Sequence, residues 1–384
     1  MRKFSVLTGF LVVVACLGVT LGADARAQVL LGVDGGADGQ LSQLHKLDPA
    51  TGTIVETIGP VFSAITGMAV HPQTQVIYAS TSNLDPRFPG FLVRIDLRSG
   101  RGTPIGPILG TGLGTGEAAA DLAFAADGTL YGWISTSKWS LVTIDVNTGA
   151  GTLIGSAPLG RTFGNGLAMS AAGTLYLSGT GDDRELTVID PNTGSESSTV
   201  PLTGGSGDSL PIGALTFSES GTLFGLRKNL CAPCSESDLI TIDPLTGAIS
   251  ILQPNTGTPL EAIAFLPLTE VEIAVVKPRV FEVIRVGRRT PITVLILGSP
   301  NFHAASVDGS SLAFGPRGAG ILHLTGPHKK DVDGDGRTDV LVHFRTDETG
   351  IVCEQSSATL IGQTTGGAPI SGSTEIVASG RNCF

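Results

Sequence analysis

Aromatic residues are scarce in this 384-residue chain, with three Tyr, two Trp and 5% aromatic content in all. That leaves little material for a sugar-stacking platform or an aromatic binding hot spot. Charge is sparse too. Only 15% of residues are charged, and 34 acidic side chains against 24 basic ones give a net charge of −10. No basic cluster accompanies aromatic residues anywhere, which excludes nucleic acid as the expected partner. Apart from the N-terminus there is no membrane-anchor-like apolar run, and the C-terminus offers no second anchor.

Glycine is abundant, with 53 residues, and hydrophobic residues reach 41%. A sizeable core is affordable on that composition, so a disordered chain is excluded. Glycines scattered through β-branched runs point to short strands joined by tight turns. The length suggests two folded units.

Residues 1–27 read as a cleaved secretory signal. Arg2 and Lys3 precede the apolar stretch from Phe10 to Gly18, and Ala25-Arg-Ala27 places small residues where a signal peptidase reads them. The run is too short and too broken by Gly18 and Gly22 to span a membrane. Val13-Val-Ala-Cys16 offers an alternative lipoprotein site, although the apolar stretch continues past Cys16. Export implies a secreted, cell-surface or periplasmic protein. The mature chain would keep 21 basic and 33 acidic residues, and four cysteines. In an oxidising compartment, pairing of Cys231 with Cys234 and of Cys353 with Cys383 is expected. Zinc at Cys231-Ala-Pro-Cys234 would need two further ligands, and neither a second CxxC nor a suitably spaced His pair follows.

One phrase recurs five times: Leu47-Asp-Pro-Ala-Thr-Gly52, Ile95-Asp-Leu-Arg-Ser-Gly100, Ile144-Asp-Val-Asn-Thr-Gly149, Ile189-Asp-Pro-Asn-Thr-Gly194 and Ile242-Asp-Pro-Leu-Thr-Gly247. Asp that bonds the backbone and Gly that takes a left-handed conformation make it a hairpin turn. A second phrase alternates with it: Gly67-Met-Ala-Val70, Asp121-Leu-Ala-Phe124, Gly166-Leu-Ala-Met169, Ala214-Leu-Thr-Phe217 and Ala262-Ile-Ala-Phe265. Four short strands in each period of about 45–50 residues predict an all-β fold, a five-bladed β-propeller over 28–268. The chain enters at Val29-Leu-Leu-Gly32, matching a second strand, and leaves at Ile263-Ala-Phe265, matching a first. The last strand should therefore complete the first blade and close the ring. An open solenoid would need polar capping units, and none is visible.

Both tight turns of each repeat belong on one face of the disc, and the long connections on the other. These include 34–40, 81–90, 106–117, 178–185, 203–210 and 226–237. That loop face is the expected functional surface. Thr66, Asp121, Asn165, Gly213 and Glu261 are placed at the channel mouth there. Asp121 and Glu261 facing one another would supply the two carboxylates of a hydrolase or lyase, while a merely polar, solvating mouth is the plainer reading. No GxSxG elbow is present, and His45 and His71 sit near blade turns, where solvated histidines are common. The repeats resemble those of bacterial secreted propellers with "ID-x-x-TG" and "DGTLYG" phrases, related in style to NHL and WD40-like repeats. That group includes lyases, lactonases, cyclotransferases and pure binders, so the resemblance implies fold and not activity.

The phrase repeat stops after Pro267. Alternation in Val271-Glu-Ile-Ala-Val-Val276 and Pro291-Ile-Thr-Val-Leu-Ile-Leu297 predicts a smaller β-sandwich over 269–384. Together with Ser311-Leu-Ala-Phe-Gly315 and the run from Asp331 to Phe344, it resembles a module appended to many bacterial extracellular proteins, although Val276-Lys-Pro-Arg279 lacks the glycine of that family's IKPG segment. Within it, Asp331, Asp333, Asp335 and Asp339 stand at positions one, three, five and nine of a loop, with Gly336 at six. Hard oxygen ligands in this pattern suit Ca²⁺, with the Arg337 carbonyl as a further ligand. Val342 replaces the twelfth-position Glu of an EF-hand. The spacing resembles the calcium loops of integrin-type, thrombospondin type 3 and dockerin repeats, although dockerin motifs come in pairs. The calcium is expected to be structural. The favoured reading is an extracellular binding or scaffold protein whose partner is a protein or a glycan.

Overall fold

In a computed structural model, residues 28–380 are described except 36–40, 63, 111–117, 135–138, 157–164, 179–183, 205–210, 229–236, 255, 277–282, 323–327 and 354. The expected signal segment 1–27 and Cys16, Cys231, Cys234 and Cys383 lie outside the described residues. Several of the long connections fall there in whole or in part.

Each copy of the first phrase folds the same way. The Asp48 carboxylate accepts the Ala50 N–H at 2.8 Å, and its backbone carbonyl accepts the Gly52 N–H at 2.6 Å. Asp145, Asp190 and Asp243 repeat both bonds with the equivalent residues, and Asp96 repeats the carbonyl bond while its carboxylate accepts the Ser99 N–H at 2.8 Å. Gly52, Gly100, Gly149, Gly194 and Gly247 all have φ between 67° and 79°, a conformation that a side chain would strain. The turn amides hold the Asp48, Asp190 and Asp243 carboxyls below the usual carboxylate range.

These hairpins join five antiparallel sheets. Blade 1 runs from Leu260–Leu266 at the centre through Val29–Asp34 and Gln43–Leu47 to Ile54–Pro60 at the rim. The innermost strands of blades 2 to 5 are Ile65–Val70, Ala119–Phe124, Leu167–Met169 and Ile212–Phe217. Blade 5 carries an additional short strand, Thr203–Gly204, paired in parallel with its rim strand Ala248–Gln253. The expected closure is present: Val29 pairs with Leu266, Leu31 with Ala264 and Val33 with Ala262.

Side chains alternate towards the two neighbouring blades, and the apolar ones form five separate cores. Each core joins consecutive blades. The last joins blade 5, through Ala214, Phe224, Leu226 and Leu239, to Leu30, Leu47, Leu260 and Ile263 of blade 1. The ring is therefore sealed by packing as well as by strand pairing. Hydroxyls pin one blade to the next: Ser80 donates to the Ala119 carbonyl at 3.0 Å, Ser178 to Ile212 at 2.6 Å and Ser237 to Leu260 at 2.8 Å.

The remaining strands form two further four-stranded sheets and a two-stranded parallel pair of Val283–Arg285 with Val377–Ser379. One contains Thr269–Glu270, Val307–Phe314, Ser357–Thr364 and Pro369–Glu375. The other contains Ile273–Val276, Pro291–Ile296, His328–Lys330 and Asp339–Arg345. Ile292, Val294 and Ile296 of one sheet share a core with Leu312, Phe314 and Leu360 of the other, and this core includes no residue before Val271. The sandwich touches the turn face of blade 2, where Gln75 donates to the Pro267 carbonyl at 3.0 Å and to Thr269 Oγ1. Among the described residues, no helix is long and apolar enough to cross a membrane.

Close packing at the axis restricts side-chain size. A Cβ on Gly166 would lie 2.5 Å from the Ala214 carbonyl carbon and 2.7 Å from the Leu215 nitrogen. Gly166→Ala should therefore destabilise the protein by about 1–3 kcal/mol, measured by chemical denaturation. Unchanged stability would mean that the axis has room to spare.

Candidate functional site

Four of the inner strands break register at one residue. The pairing skips Thr66, Ala120, Gly213 and Glu261, so each is a bulge at the loop-face end of its strand. Asn165 occupies the corresponding place in blade 4. Asp121 was expected in this ring, but Ala120 holds that position. Asp121 lies one residue deeper, level with Gly67, Gly166, Ala214 and Ala262.

That one-residue displacement determines its chemistry. Inner strands present one edge to the axis, so the amides just past Asp121 have no partner strand. The Asp121 carboxylate takes them up. It accepts Leu122 N–H at 2.9 Å on one oxygen, and Leu167 N–H at 2.9 Å and Leu215 N–H at 3.1 Å on the other, with Met68 N–H contributing as well. Amides of four blades thus converge on one side chain that is 0% exposed. The small residues at equivalent positions follow from this: a Cβ on Gly67 would lie 2.5 Å from the Asp121 Cα.

Glu261 does not face Asp121 as a reacting partner. It is partly exposed and forms an ion pair with Lys228 of blade 5. Thr66 donates to the Ala119 carbonyl at 2.7 Å, and Asn165 Nδ2 donates to the Ser178 carbonyl at 2.6 Å. Gly213 makes room for the Lys228 side chain. The mouth residues are thus committed to holding the ring together. His45 also departs from expectation. It lies within a strand, is 5% exposed, and its ring contacts Thr57 Oγ1 at 3.0 Å and Asp34 Oδ2 at 3.4 Å.

On the turn-face side of Asp121 the axis widens into a cavity of about 250 Å³, lined by Ala69, Ala123, Ala168 and Thr216 among others and flanked by Phe124 and Phe217. No sequence signal pointed there, because its walls come from the recurring core phrase and not from the long loops.

In the sandwich, Asp331, Asp333 and Asp335 are exposed, and one oxygen from each lies within 4.8 Å of the others. Local bonds shape the loop: Asp331 accepts Gly334 N–H at 2.7 Å and Gly336 N–H at 3.0 Å. Arg337 donates from Nη1 to Asp335 at 2.8 Å and holds that carboxyl below its usual range. Asp339 is not part of the cluster. Strand pairing buries it completely, and its two oxygens accept Gly298 N–H at 2.9 Å and Val332 N–H at 2.7 Å. It fastens the loop to its neighbours.

No protein-family model and no curated protein matches the chain. Solved structures resemble it at low similarity. A protein of unknown function from Bacteroides caccae is 13% identical with a TM-score of 0.36, over 62% of this chain and 99% of that one. A gluconolactonase from Xanthomonas campestris is 16% identical with a TM-score of 0.38, over 61% and 78%. A glutaminyl cyclase from Myxococcus xanthus is 19% identical with a TM-score of 0.34, over 52% and 69%. Likeness at this level carries no argument about activity, and the propeller architecture rests on the strand pairing described above.

Burial pushes the Asp121 carboxyl up to about 8, against the opposing pull of its amides. The folded chain therefore holds a proton that the unfolded chain releases above about pH 4. This contribution to stability is full below that value and is lost as the pH rises through about 8. The wild-type Tm should fall over that span relative to Asp121→Asn, which has no group to titrate there. A wild-type Tm that rises instead would contradict the assignment.

Proposed function

We propose that the chain is an extracellular binding or scaffold protein, exported through residues 1–27, with recognition on the loop face of the propeller and with Ca²⁺ fixing the 331–339 loop of the sandwich. The burial of Asp121 is the observation that carries this reading. A carboxylate enclosed by the amides of four blades is out of reach of a substrate, and its intended partner Glu261 is engaged by Lys228. A hydrolase or lyase reading through this pair would need both groups open to one cavity. Recognition needs only the rigid ring and the connections it carries.

The donor set of the acidic loop fits calcium. Three carboxylates offer hard oxygens close to one another, on a loop shaped by left-handed Gly334 and Gly336. Asp331, Asp333 and Asp335 would hold the ion, with the Arg337 carbonyl beside them. An ion there relieves the mutual repulsion of the three carboxylates and ties the loop to the sandwich. Pairing of Cys353 with Cys383 would similarly secure the end of this domain, as suits an oxidising compartment.

Calorimetric titration with Ca²⁺ and melting with and without chelator test the site. At a free concentration 100 times the Kd, calcium should stabilise the sandwich by about 2.7 kcal/mol, and Asp333→Ala should abolish both binding and stabilisation. Asp339→Ala should instead destabilise the protein by about 1–3 kcal/mol with or without Ca²⁺, since it strands the buried Gly298 amide and releases that of Val332. Absence of binding to the wild type would overturn the calcium assignment.

A further inference from the structure

The inner strands carry a second level of axis-facing main chain, nearer the turns than Asp121. His71, Ala125, Ser170 and Ser218 donate their N–H groups, each at 2.9 Å, to the residue that precedes the second strand of their own blade. Peptide groups alternate in direction along a strand. Val70, Phe124, Met169 and Phe217 therefore turn their N–H and C=O groups the other way, to the axis. Met68, Leu122, Leu167 and Leu215 do the same two residues earlier, where Asp121 collects their amides. Each inner strand is the last of its sheet, so no further strand pairs with this second level.

The cavity of about 250 Å³ lies at that level, and Val70, Phe124, Met169, Phe217 and Phe265 all line it. Their side chains are also less well covered than those beside Asp121. Met68, Leu122, Leu167, Leu215 and Ile263 are at most 1% exposed, whereas Val70, Phe124, Met169 and Phe217 are partly exposed. The cavity is reached from the turn face. Pro72, Ala126 and Ala171 stand at its rim, all three exposed, and the small alanine side chains leave the mouth clear. The sandwich joins the ring on the same side, but among the described residues none of the sandwich lines the cavity.

The walls select the chemistry of an occupant. No charged side chain lines them, so an ion held there would lack a counter-charge. A sugar would set most of its hydroxyls against apolar side chains, which is unfavourable for the same reason. Only Ser170 and Thr216 are polar among the lining side chains. Ser170 Oγ already accepts the Thr174 N–H at 3.1 Å, while Thr216 stands where the other blades have alanine. What remains is main-chain N–H and C=O in alternation beside large apolar side chains, which complements an amide with an apolar substituent. The volume is below the roughly 300–1,000 Å³ of pockets for drug-sized ligands, so the occupant is small. We propose that the turn-face cavity binds a small neutral molecule carrying an amide and an apolar substituent, an N-acylated amino-acid derivative or a cyclic dipeptide. Its amide completes the open strand edges, and its apolar part lies against Phe124, Met169 and Phe217. This site is independent of the loop face and of the calcium loop.

The intact protein would be titrated calorimetrically with N-acetyl-leucine methylamide, cyclo(Leu-Gly) and N-butanoyl-homoserine lactone, which separate the linear, cyclic and lactone forms of such a ligand. Leucine, which carries both charges, and 3-methylbutanol, which has the apolar part without the amide, serve as controls. Saturable binding of at least one amide and of neither control is expected. Ala171→Trp and Ala126→Trp, which plug the mouth from exposed positions, should abolish binding without lowering the Tm of the free protein. Thr216→Val, which keeps the shape and removes the hydroxyl, should weaken binding by about five-fold. Binding that survives both tryptophan variants would place the site elsewhere and overturn the proposal. Equal binding of 3-methylbutanol would overturn the amide as the recognised group, and no binding of any amide would leave the cavity to water.

Discussion

Arranging strands around an axis creates a problem that the rest of this molecule is built to solve. Every inner strand has one edge without a neighbour, and its amides point into a space too narrow for another strand. Leaving several of them unpaired and away from water would cost roughly 1–3 kcal/mol each. One side chain, Asp121, accepts from four blades at once. The glycines and alanines at the equivalent positions leave room for it, and the hydroxyls of Ser80, Ser178 and Ser237 hold the blades at the spacing it requires. A second large residue at that level would prevent the ring from closing.

The same arrangement separates the two ends of the axis. Towards the turns the channel opens into a cavity walled by small and aromatic residues, and the sandwich joins the ring on that side. Towards the loops, Lys228, Glu261 and the bulged residues occupy the mouth.

Much of the fold was legible because turn chemistry is local. An Asp and a Gly four residues apart specify the hairpin whatever lies around them, and five copies specify the repeat. The permuted closure could be read from which strand each end matched. The depth of Asp121 could not, since a single bulged residue shifts the register without leaving a mark in the sequence. Asp339 misled for a related reason: its spacing fits a metal ligand, but pairing of its strand with Pro291–Ile296 turns it inward. His45 likewise reads as a solvated turn neighbour in sequence, but its strand places it beside Asp34 and Thr57.

The central claim is that Asp121 is an enclosed axial acceptor and not a solvent-facing acid. Its side-chain carboxyl ¹³C shift, assigned by comparison with Asp121→Asn, can be followed directly as a function of pH in the folded protein. The account predicts a midpoint far above the ordinary carboxylate range, at about 8. A midpoint near the ordinary value of about 4 would contradict it.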